Sequence, residues 1–503
     1  MGTGQGSCPE LRGRPAPAVL DVNAGQCRQR AAQGQSRRSG PCPGTALYLM
    51  VDRREGRHRL APRAAIGDCR TVPTLHQKRQ IDSLVGIPLC AMLGVLTRIA
   101  GVFARGDHSL RDAPRRVLVV KLVGQGSIIN ATHLLRAAKE QWPGVEVHFV
   151  GLREIEPLVE RLPDVDRLHI LDDRSYVRLL FSTLRFLIVA RRLRFDLVVD
   201  LELHSKCSTA LSTLTGASNR AGYFLDTTLF RRALYTHLVF YNRLQHLQQA
   251  YLHIGRALGL EPHAGRPLPP SVNDDERAAV ADRLTQWGLG ERRLLLINVN
   301  AGELCLERRW MADRFARVAS LFAARGDTKV VLVGAPFEAH YVESVRALVD
   351  ENVRDNVVNA AGELAYGEFL ALMAAADVLL TGDTGPMHLA AALGTRTVSL
   401  WGPTLPQVYR PPGDDHRAIY HGVYCSPCVG WAPWPPCGGR NACMEMISVD
   451  EVARTVGEAL GVCLNGRSVA EHSPGAGQMQ DHPEPDGEPG LAVETPDGGR
   501  TRG

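Results

Sequence analysis

The sequence predicts an α/β fold made of two doubly wound, Rossmann-like domains that face each other across a cleft. Two observations predict it: strand and helix patterns alternate along the chain, and a proline-rich stretch, 262–270, divides the alternation into two halves. A length of 503 residues also suits two domains better than a single core. With 45% hydrophobic and 22% charged residues, the composition is typical of a soluble globular protein.

The first domain is predicted over residues 109–265. It opens with an apolar run at 117–122, which is typical of a buried parallel strand, and the segment 124–127 then leads into a helical pattern over 128–141. The following elements are predicted as strands at 145–150 and 195–201 and as helices at 154–161 and 205–214.

The second domain, 266–464, repeats the alternation. Ser448 and Glu451 form a capping box that opens a last helix ending near Val462. In domains of this kind ligands bind at the carboxyl ends of the strands, so the cleft is the expected site. The predicted strands are 294–298, 329–333, 357–359, 378–381 and 397–400.

Both ends of the chain are predicted to be disordered. The head, 1–77, is rich in Gly, Pro, Arg and Gln, and the tail, 465–503, is rich in Gly, Pro, Asp and Glu. A true start further along the chain is the alternative explanation of the head. The head carries twelve arginines against five acidic residues, an excess larger than the net charge of +5 of the whole chain. The folded part is therefore near neutral, which argues against a nucleic-acid-binding protein.

Residues 78–108 contain an apolar stretch, 84–103, that is predicted to be helical. It is long enough to span a bilayer, but Pro88, Arg98 and several glycines favour an amphipathic helix at a membrane surface. A helix packed on the domain is the alternative. The head lacks the apolar segment of a secretory signal, and scattered single cysteines suit a reducing compartment. We therefore expect a cytoplasmic protein that can contact the inner face of the cytoplasmic membrane.

The most informative segment is the junction between a predicted buried strand and the helix that follows it. The strand ends at Asp383, and the helix begins at Pro386, where the missing N–H of proline costs nothing. The backbone N–H groups of Thr384 and Gly385 are expected at the helix start, which favours a phosphate, and His388 could reach the same anion. A plain turn with Asp383 or Thr384 as helix cap is the alternative.

The string 383–391 and its continuation through Thr404 resemble the nucleotide-sugar signature of glycosyltransferase family 9, typified by bacterial ADP-heptose:lipopolysaccharide heptosyltransferases. The family usually has a proline where this chain has Arg396. The resemblance extends over 116–462. Three upstream elements are similar as well and stand in the family's order: 298–303, 308–310 and 334–338.

The resemblance implies a GT-B fold. It also implies the transfer of a sugar, heptose or similar, with inversion, from a nucleotide-diphosphate donor to a lipopolysaccharide-type or other glycan or lipid-linked acceptor. The second domain would bind the donor, and the first would present the acceptor. Relatives of this kind need no catalytic metal or other cofactor, and the second domain has no Asp-x-Asp motif. Two rival functions remain: a non-catalytic nucleotide-sugar-binding protein and a GT-B nucleotide-sugar epimerase.

The resemblance also assigns donor-binding residues. Arg308 matches a lysine that contacts the donor phosphates, and it keeps the charge while changing the geometry. A solvated pair with Arg309 is the alternative. Glu338 could accept hydrogen bonds from the ribose or simply lie on the surface. The other donor-binding candidates are those of the helix start: Asp383, Thr384, Gly385, Pro386, Met387 and His388.

The chain departs from the family at the catalytic base. Where the family commonly has Gly-Asp, this chain has Gly126-Ser127, and a neutral serine cannot deprotonate an acceptor hydroxyl unaided. Two carboxylates at a first-domain strand end, Asp200 and Glu202, are replacement candidates, because strand alternation would place both on one side. His204 is another candidate for the base. We expect His204, together with Gly126, on the acceptor side, where it could hold Glu202. A structural helix cap at Asp200, or loss of catalysis, is the alternative.

One loop rich in Pro, Gly and Trp carries four cysteines. Four thiolates in a short irregular loop could bind structural zinc, and disulfides or free thiols are the alternatives. Trp431 and Trp434 are expected to shape the acceptor side. The four residues are Cys425, Cys428, Cys437 and Cys443.

Overall fold

The computed structural model describes residues 82–103, 108–110, 112–301, 305–429, 437 and 440–462. The head at 1–77 and the tail at 465–503, both expected to be disordered, lie outside the described residues, as do Trp431 and Trp434.

The first domain is built on a six-stranded parallel sheet with the order β3-β2-β1-β4-β5-β6. The chain starts in the middle, moves out to one edge, and returns to build the other half, which is the doubly wound topology expected from the sequence. The strands are β1 (Arg116–Val120), β2 (Glu146–Leu152), β3 (Arg167–Leu171), β4 (Leu197–Asp200), β5 (Asn219–Phe224) and β6 (His237–Phe240).

Helices cover both sides of this sheet, because alternate residues of each buried strand face opposite ways. Val117 and Val119 pack towards α2, α3 and α7, whereas Leu118 and Val120 pack towards α5 and α6. The helices are α1 (Gly86–Phe103), α2 (Gln125–Asn130), α3 (Thr132–Gln141), α4 (Glu156–Val159), α5 (Tyr176–Leu193), α6 (Lys206–Leu214) and α7 (Leu247–Ala257).

The second domain has the same plan, with the strand order β12-β11-β10-β7-β8-β9, all parallel. Its strands are β7 (Arg293–Asn298), β8 (Thr328–Val333), β9 (Val357–Asn359), β10 (Val378–Gly382), β11 (Arg396–Trp401) and β12 (His416–Tyr420). Its helices are α8 (Asp274–Gln286), α9 (Ala312–Ala323), α10 (Ala339–Ala347), α11 (Tyr366–Ala375), α12 (Gly385–Leu393), α13 (Pro406–Tyr409), α14 (Ala442–Glu445) and α15 (Val449–Leu460).

The predicted fold class is confirmed, but the sequence pattern missed several elements. β3 and β6 are short edge strands whose histidines and half-exposed residues break the apolar run expected of a buried strand. α5 was missed because its outward face is apolar as well as its inward face, so the helical period is hidden. β5 and β12 were also not predicted.

The two domains touch where α2 and α12 meet, since the buried cluster that contains β1 continues into Leu389 and Ala390 of α12. A second contact joins the Tyr366 hydroxyl to Gln125 Oε1 at 3.0 Å. Both helices begin at the carboxyl edges of their sheets, so the candidate site is built around this junction.

Candidate active site

The donor side begins where buried β10 gives way to α12. Thr384 is the N-cap residue in an extended conformation, Pro386 stands in the first turn, and no side chain caps the helix start among the described residues. Gly394, with φ of 93°, ends the helix in the left-handed region that glycine tolerates. The backbone N–H groups at the start of α12 have no capping side chain and can therefore donate hydrogen bonds to an anion.

Asp383 positions Arg308 beside this helix start. Arg308 Nη1 donates to the Asp383 carbonyl at 2.9 Å and to its Oδ2 at 3.2 Å, and Thr404 Oγ1 donates to the same oxygen at 2.8 Å. The carboxylate is buried, and a phosphate would be repelled by it. Asp383 is thus an anchor for the guanidinium rather than a direct ligand of the donor.

Glu338 is oriented by neighbours at the carboxyl edge of the second sheet. One carboxylate oxygen accepts from the Ala335 N–H at 2.8 Å, and the other accepts from Asn300 Nδ2. Asn300 Oδ1 in turn accepts from Arg309, whose guanidinium lies 4.0 Å from the ring centroid of Tyr341. The alternative of a solvated pair at Arg308 and Arg309 does not match these contacts, since both side chains have fixed partners.

His388 and Met387 face inward. Met387 is fully buried, and His388 lies against the first domain, with its Nδ1 at 3.1 Å from Asn130 Nδ2. A Cβ at Gly126 would come within 2.5 Å of the His388 ring. Burial lowers the pKa of His388 to about 4, so the ring is neutral near neutral pH. These contacts support a role at the domain junction and not the expected anion contact.

On the acceptor side, Asp200 is a buried structural carboxylate. It has no exposed surface and accepts hydrogen bonds from Ser208 Oγ at 2.7 Å, Arg231 Nη2 at 3.3 Å, the Tyr235 hydroxyl and the Glu202 N–H at 2.9 Å. Burial raises its pKa, against the opposing charge of Arg231. An acceptor hydroxyl cannot reach this carboxylate, so the geometry argues against Asp200 as the base.

Glu202 points the other way and stays partly accessible. Its Oε1 accepts from Lys121 Nζ at 3.0 Å and from the N–H groups of Leu122 and Val123 at 2.8 and 3.4 Å. The pairing of Val120 with Asp200 in adjacent strands brings Lys121 and Glu202 together just beyond the strand ends. The sequence prediction overlooked Lys121, although a lysine that ends an apolar run is a visible signal.

His204 does not hold Glu202 by any contact that the structure shows. Partial burial of its ring, together with the charges of Arg243, Arg231 and Lys206, lowers its pKa. Lys121 has the positioning role that the sequence suggested for His204.

Two tyrosines that the sequence prediction did not include, Tyr251 and Tyr409, pack in the buried cluster that joins the two domains. Tyr251 is buried, and burial raises its pKa, with a further rise from the charge of Glu202. Tyr409 of the second domain also has a raised pKa, from burial and then from Asp383.

The four-cysteine loop lies beside the end of β11. The N–H groups of Cys428 and Val429 donate to the Pro403 carbonyl at 3.1 and 3.0 Å, and a Cβ at Gly402 would lie 2.8 Å from the Cys443 sulfur. All four thiols are free, and within the described ranges no three His, Cys, Asp or Glu residues converge as a metal site. Burial raises the pKa of Cys443 to about 11.

Several known proteins resemble this chain in sequence and in fold. A family model described as glycosyltransferase family 9 (heptosyltransferase) matches residues 186–432. Lipooligosaccharide heptosyltransferase 2 of Haemophilus influenzae is 34% identical over 131 residues, which cover 26% of this chain and 37% of that protein. The match therefore spans well under half the length of this relative.

Longer matches are weaker in identity. Lipopolysaccharide heptosyltransferase 1 of Pseudomonas aeruginosa is 27% identical over 323 residues, which cover 62% of this chain and 86% of that protein. The solved structure of the Escherichia coli ADP-heptose lipopolysaccharide heptosyltransferase II superposes with a TM-score of 0.57 at 19% identity, covering 69% of this chain and 98% of the other. This last likeness shows that the two chains share the GT-B fold.

Proposed function

Because this chain belongs to glycosyltransferase family 9, we propose that it moves a heptose or similar sugar from a nucleotide-diphosphate donor to a lipopolysaccharide-type or other glycan or lipid-linked acceptor. The observation that carries the proposal is Arg308, fixed by Asp383 beside the uncapped start of α12. The heptosyltransferase relatives support the choice of sugar.

The donor half supplies positive charge where negative charge develops. As the bond between the anomeric carbon and the diphosphate breaks, the leaving group gains charge that Arg308 and the amides of Thr384 and Gly385 would stabilise. Glu338, oriented by Asn300, would accept hydrogen bonds from the ribose hydroxyls. Cationic side chain and helix amides together remove the need for a catalytic metal.

The acceptor half supplies the base. Three donors engage Glu202 Oε1, which leaves Oε2 to accept the proton of the acceptor hydroxyl. The acceptor oxygen would form the new bond on the face opposite the departing diphosphate, so the sugar is transferred with inversion. Ser127 would contact substrate and not take the proton, because a neutral hydroxyl is not a general base.

Binding and turnover measurements with the full chain test this proposal. Calorimetry with ADP, UDP and GDP should show binding of at least one nucleotide, and Arg308→Gln should weaken it about tenfold, equal to about 1.4 kcal/mol. Arg317→Gln, at an exposed arginine of α9, is the matched control. Unchanged affinity in Arg308→Gln for every nucleotide would refute the donor site.

Mass spectrometry of the products separates the rival functions. A transferase adds the donor sugar to the acceptor and releases nucleotide diphosphate, an epimerase changes the donor without an acceptor, and a binding protein changes neither. The last two patterns would contradict the proposal.

A structural zinc ion in the four-cysteine loop is a separate proposal. Two of the four cysteines, Cys428 and Cys443, lie beside the same turn, at Pro403 and Gly402. Zinc would have to draw them together and displace the thiol protons. Elemental analysis of chain purified without chelator should give one zinc per chain, lost in Cys428→Ser. Metal-free protein of full stability would reject it.

A further inference from the structure

The outward face of α5 is a row of large apolar side chains with no protein partner in the described part of the chain. The inward face packs Phe186 and Ala190 on the sheet. The outward face holds five large side chains, each between 48% and 67% exposed: Val177, Leu180, Phe181, Leu184 and Ile188. An exposed apolar stripe of this length indicates a site that binds another protein or a membrane.

The first helix, α1, repeats this arrangement in a stronger form. Its packed face holds the buried Cys90 and Leu93. A Cβ at Gly86 would meet Lys206, and Thr97 Oγ1 donates to the Ala233 carbonyl at 2.8 Å. Most of its other large side chains face outward, so the exposed face is apolar as well. These exposed residues, with Leu84 just before the helix, are Leu84, Ile87, Met92, Val95, Leu96 and Ile99.

Both helices lie on the same side of the first sheet, because both pack against α6. Arg191 of α5 donates from Nε to the Leu214 carbonyl at 2.7 Å, and Cys90 of α1 lies against Lys206 and Ala210. Each begins at the carboxyl edge of the sheet. α5 follows β3, and Asp82, just before α1, accepts from the Cys207 N–H at 2.7 Å at the start of α6. The two apolar faces therefore flank the acceptor side of the site.

Arginines give this surface a charge. Arg178, Arg185 and Arg192 are exposed and recur every seven residues, so they line one side of the apolar stripe of α5. A cationic row beside an apolar stripe matches the boundary between headgroups and acyl chains in a membrane with anionic lipids. A second copy of the chain fits less well, since face-to-face pairing would bring the arginine rows together.

We propose that α1 and α5 together dock the first domain on an anionic phospholipid bilayer, so that the acceptor side opens towards an acceptor anchored in that membrane. The residues Asp82–Ile99 are long and apolar enough to cross a membrane. However, the Thr97 and Asp82 contacts fix this helix along the domain, so it lies in the plane of the interface. Only the choice of acceptor rests on the proposed function; docking itself is measured without turnover.

Flotation of the full chain with vesicles tests the proposal. Vesicles of phosphatidylcholine with phosphatidylglycerol should bind the chain, and pure phosphatidylcholine should bind it less. The double variant Phe181→Ser/Leu184→Gln should lower partitioning about tenfold. Arg185→Gln/Arg192→Gln should lower it on the anionic vesicles and reduce its salt dependence. Matched controls at exposed second-domain positions, Leu348→Gln and Arg317→Gln, should change neither.

Three results would overturn the docking surface: no binding of the full chain to anionic vesicles, binding unchanged in both α5 variants, or a dimer in sedimentation that the same variants dissociate. If the apolar variant misfolds, the arginine variant still carries the test, because its side chains are solvent-exposed. Nucleotide affinity, measured in parallel, should be equal in all variants. Vesicle binding without any sugar transfer would refute the proposed function and leave the docking proposal standing.

Discussion

Neutralising each of two neighbouring carboxylates should separate stability from catalysis. Glu202→Gln and Asp200→Asn are isosteric changes two residues apart. Glu202 is partly accessible and holds one oxygen free of the contacts from Lys121 and the backbone, whereas Asp200 has no exposed surface. We expect Glu202→Gln to lower turnover and Asp200→Asn to lower stability.

The magnitudes follow from burial. Asp200 and Arg231 are both fully buried, so removing the carboxylate charge leaves an uncompensated guanidinium and should cost about 3–5 kcal/mol. The side chains of Glu202 and Lys121 are 13% and 10% exposed, so water can compensate the lysine and the loss should be about 1–2 kcal/mol. Loss of the proton acceptor should reduce turnover about 100-fold.

Urea unfolding followed by tryptophan fluorescence, and turnover per folded molecule followed by mass spectrometry, measure the two effects separately. Donor affinity in Glu202→Gln should stay within about twofold, because the donor site lies on the other domain. Glu160→Gln, at an exposed carboxylate of the same domain, is the control for both assays. Near-normal turnover in Glu202→Gln would refute its role as base. Equal stability of the two variants would refute the argument from burial.

Three further outcomes are expected at the domain junction and the cysteine loop. Gly126→Ala should destabilise the chain by about 1–3 kcal/mol, because its Cβ would meet the His388 ring at 2.5 Å. At Gly385 the nearest atom would be 3.8 Å from an added Cβ, so the thermal unfolding temperature of Gly385→Ala should stay near that of the wild type. The pKa of His388 is lowered by burial from 6.5 to about 4, so its neutral form contributes stability above pH 6.5 that is lost as the pH falls towards 4, by about 3 kcal/mol at most. In His388→Gln, the midpoint of urea unfolding should change less with pH across that range. Iodoacetamide should modify Cys428 before the buried Cys443, as mass spectrometry of tryptic peptides would show, and the reverse order would contradict the packing of Cys443 against Gly402.

The sequence predicted the fold well where one force dominates. Buried central strands such as β1 and β10 are continuous aliphatic runs, and their order along the chain determines a doubly wound sheet. The prediction failed for β3 and β6, because strands at the edge of a sheet need fewer apolar residues. It also failed for α5, because this helix is apolar on its exposed face as well as on its packed face. The spacing of apolar residues shows which face of a helix or strand is apolar, but it does not show what covers that face.

The catalytic base shows the same limit at the level of single residues. Alternation along a strand placed Asp200 and Glu202 on one side, but β4 ends at Asp200, so the period of two no longer applies to the residue beyond it. Asp200 turns inward to Arg231, and Glu202 turns outward to Lys121. The opposite directions of these two side chains depend on the pairing of β1 with β4. A local sequence pattern does not contain that pairing.

The same pairing bears on the serine that replaces the family's aspartate. Ser127 lies at the start of α2, immediately after β1, and Glu202 follows the neighbouring strand β4. Glu202 Oε1 accepts from the N–H groups of Leu122 and Val123, in the segment that links β1 to α2, so serine and carboxylate lie at the same edge of the sheet. A carboxylate lost at the end of one strand can thus be replaced from the next without moving the acceptor, which makes the loss of aspartate at Ser127 a weak reason to infer the loss of catalysis.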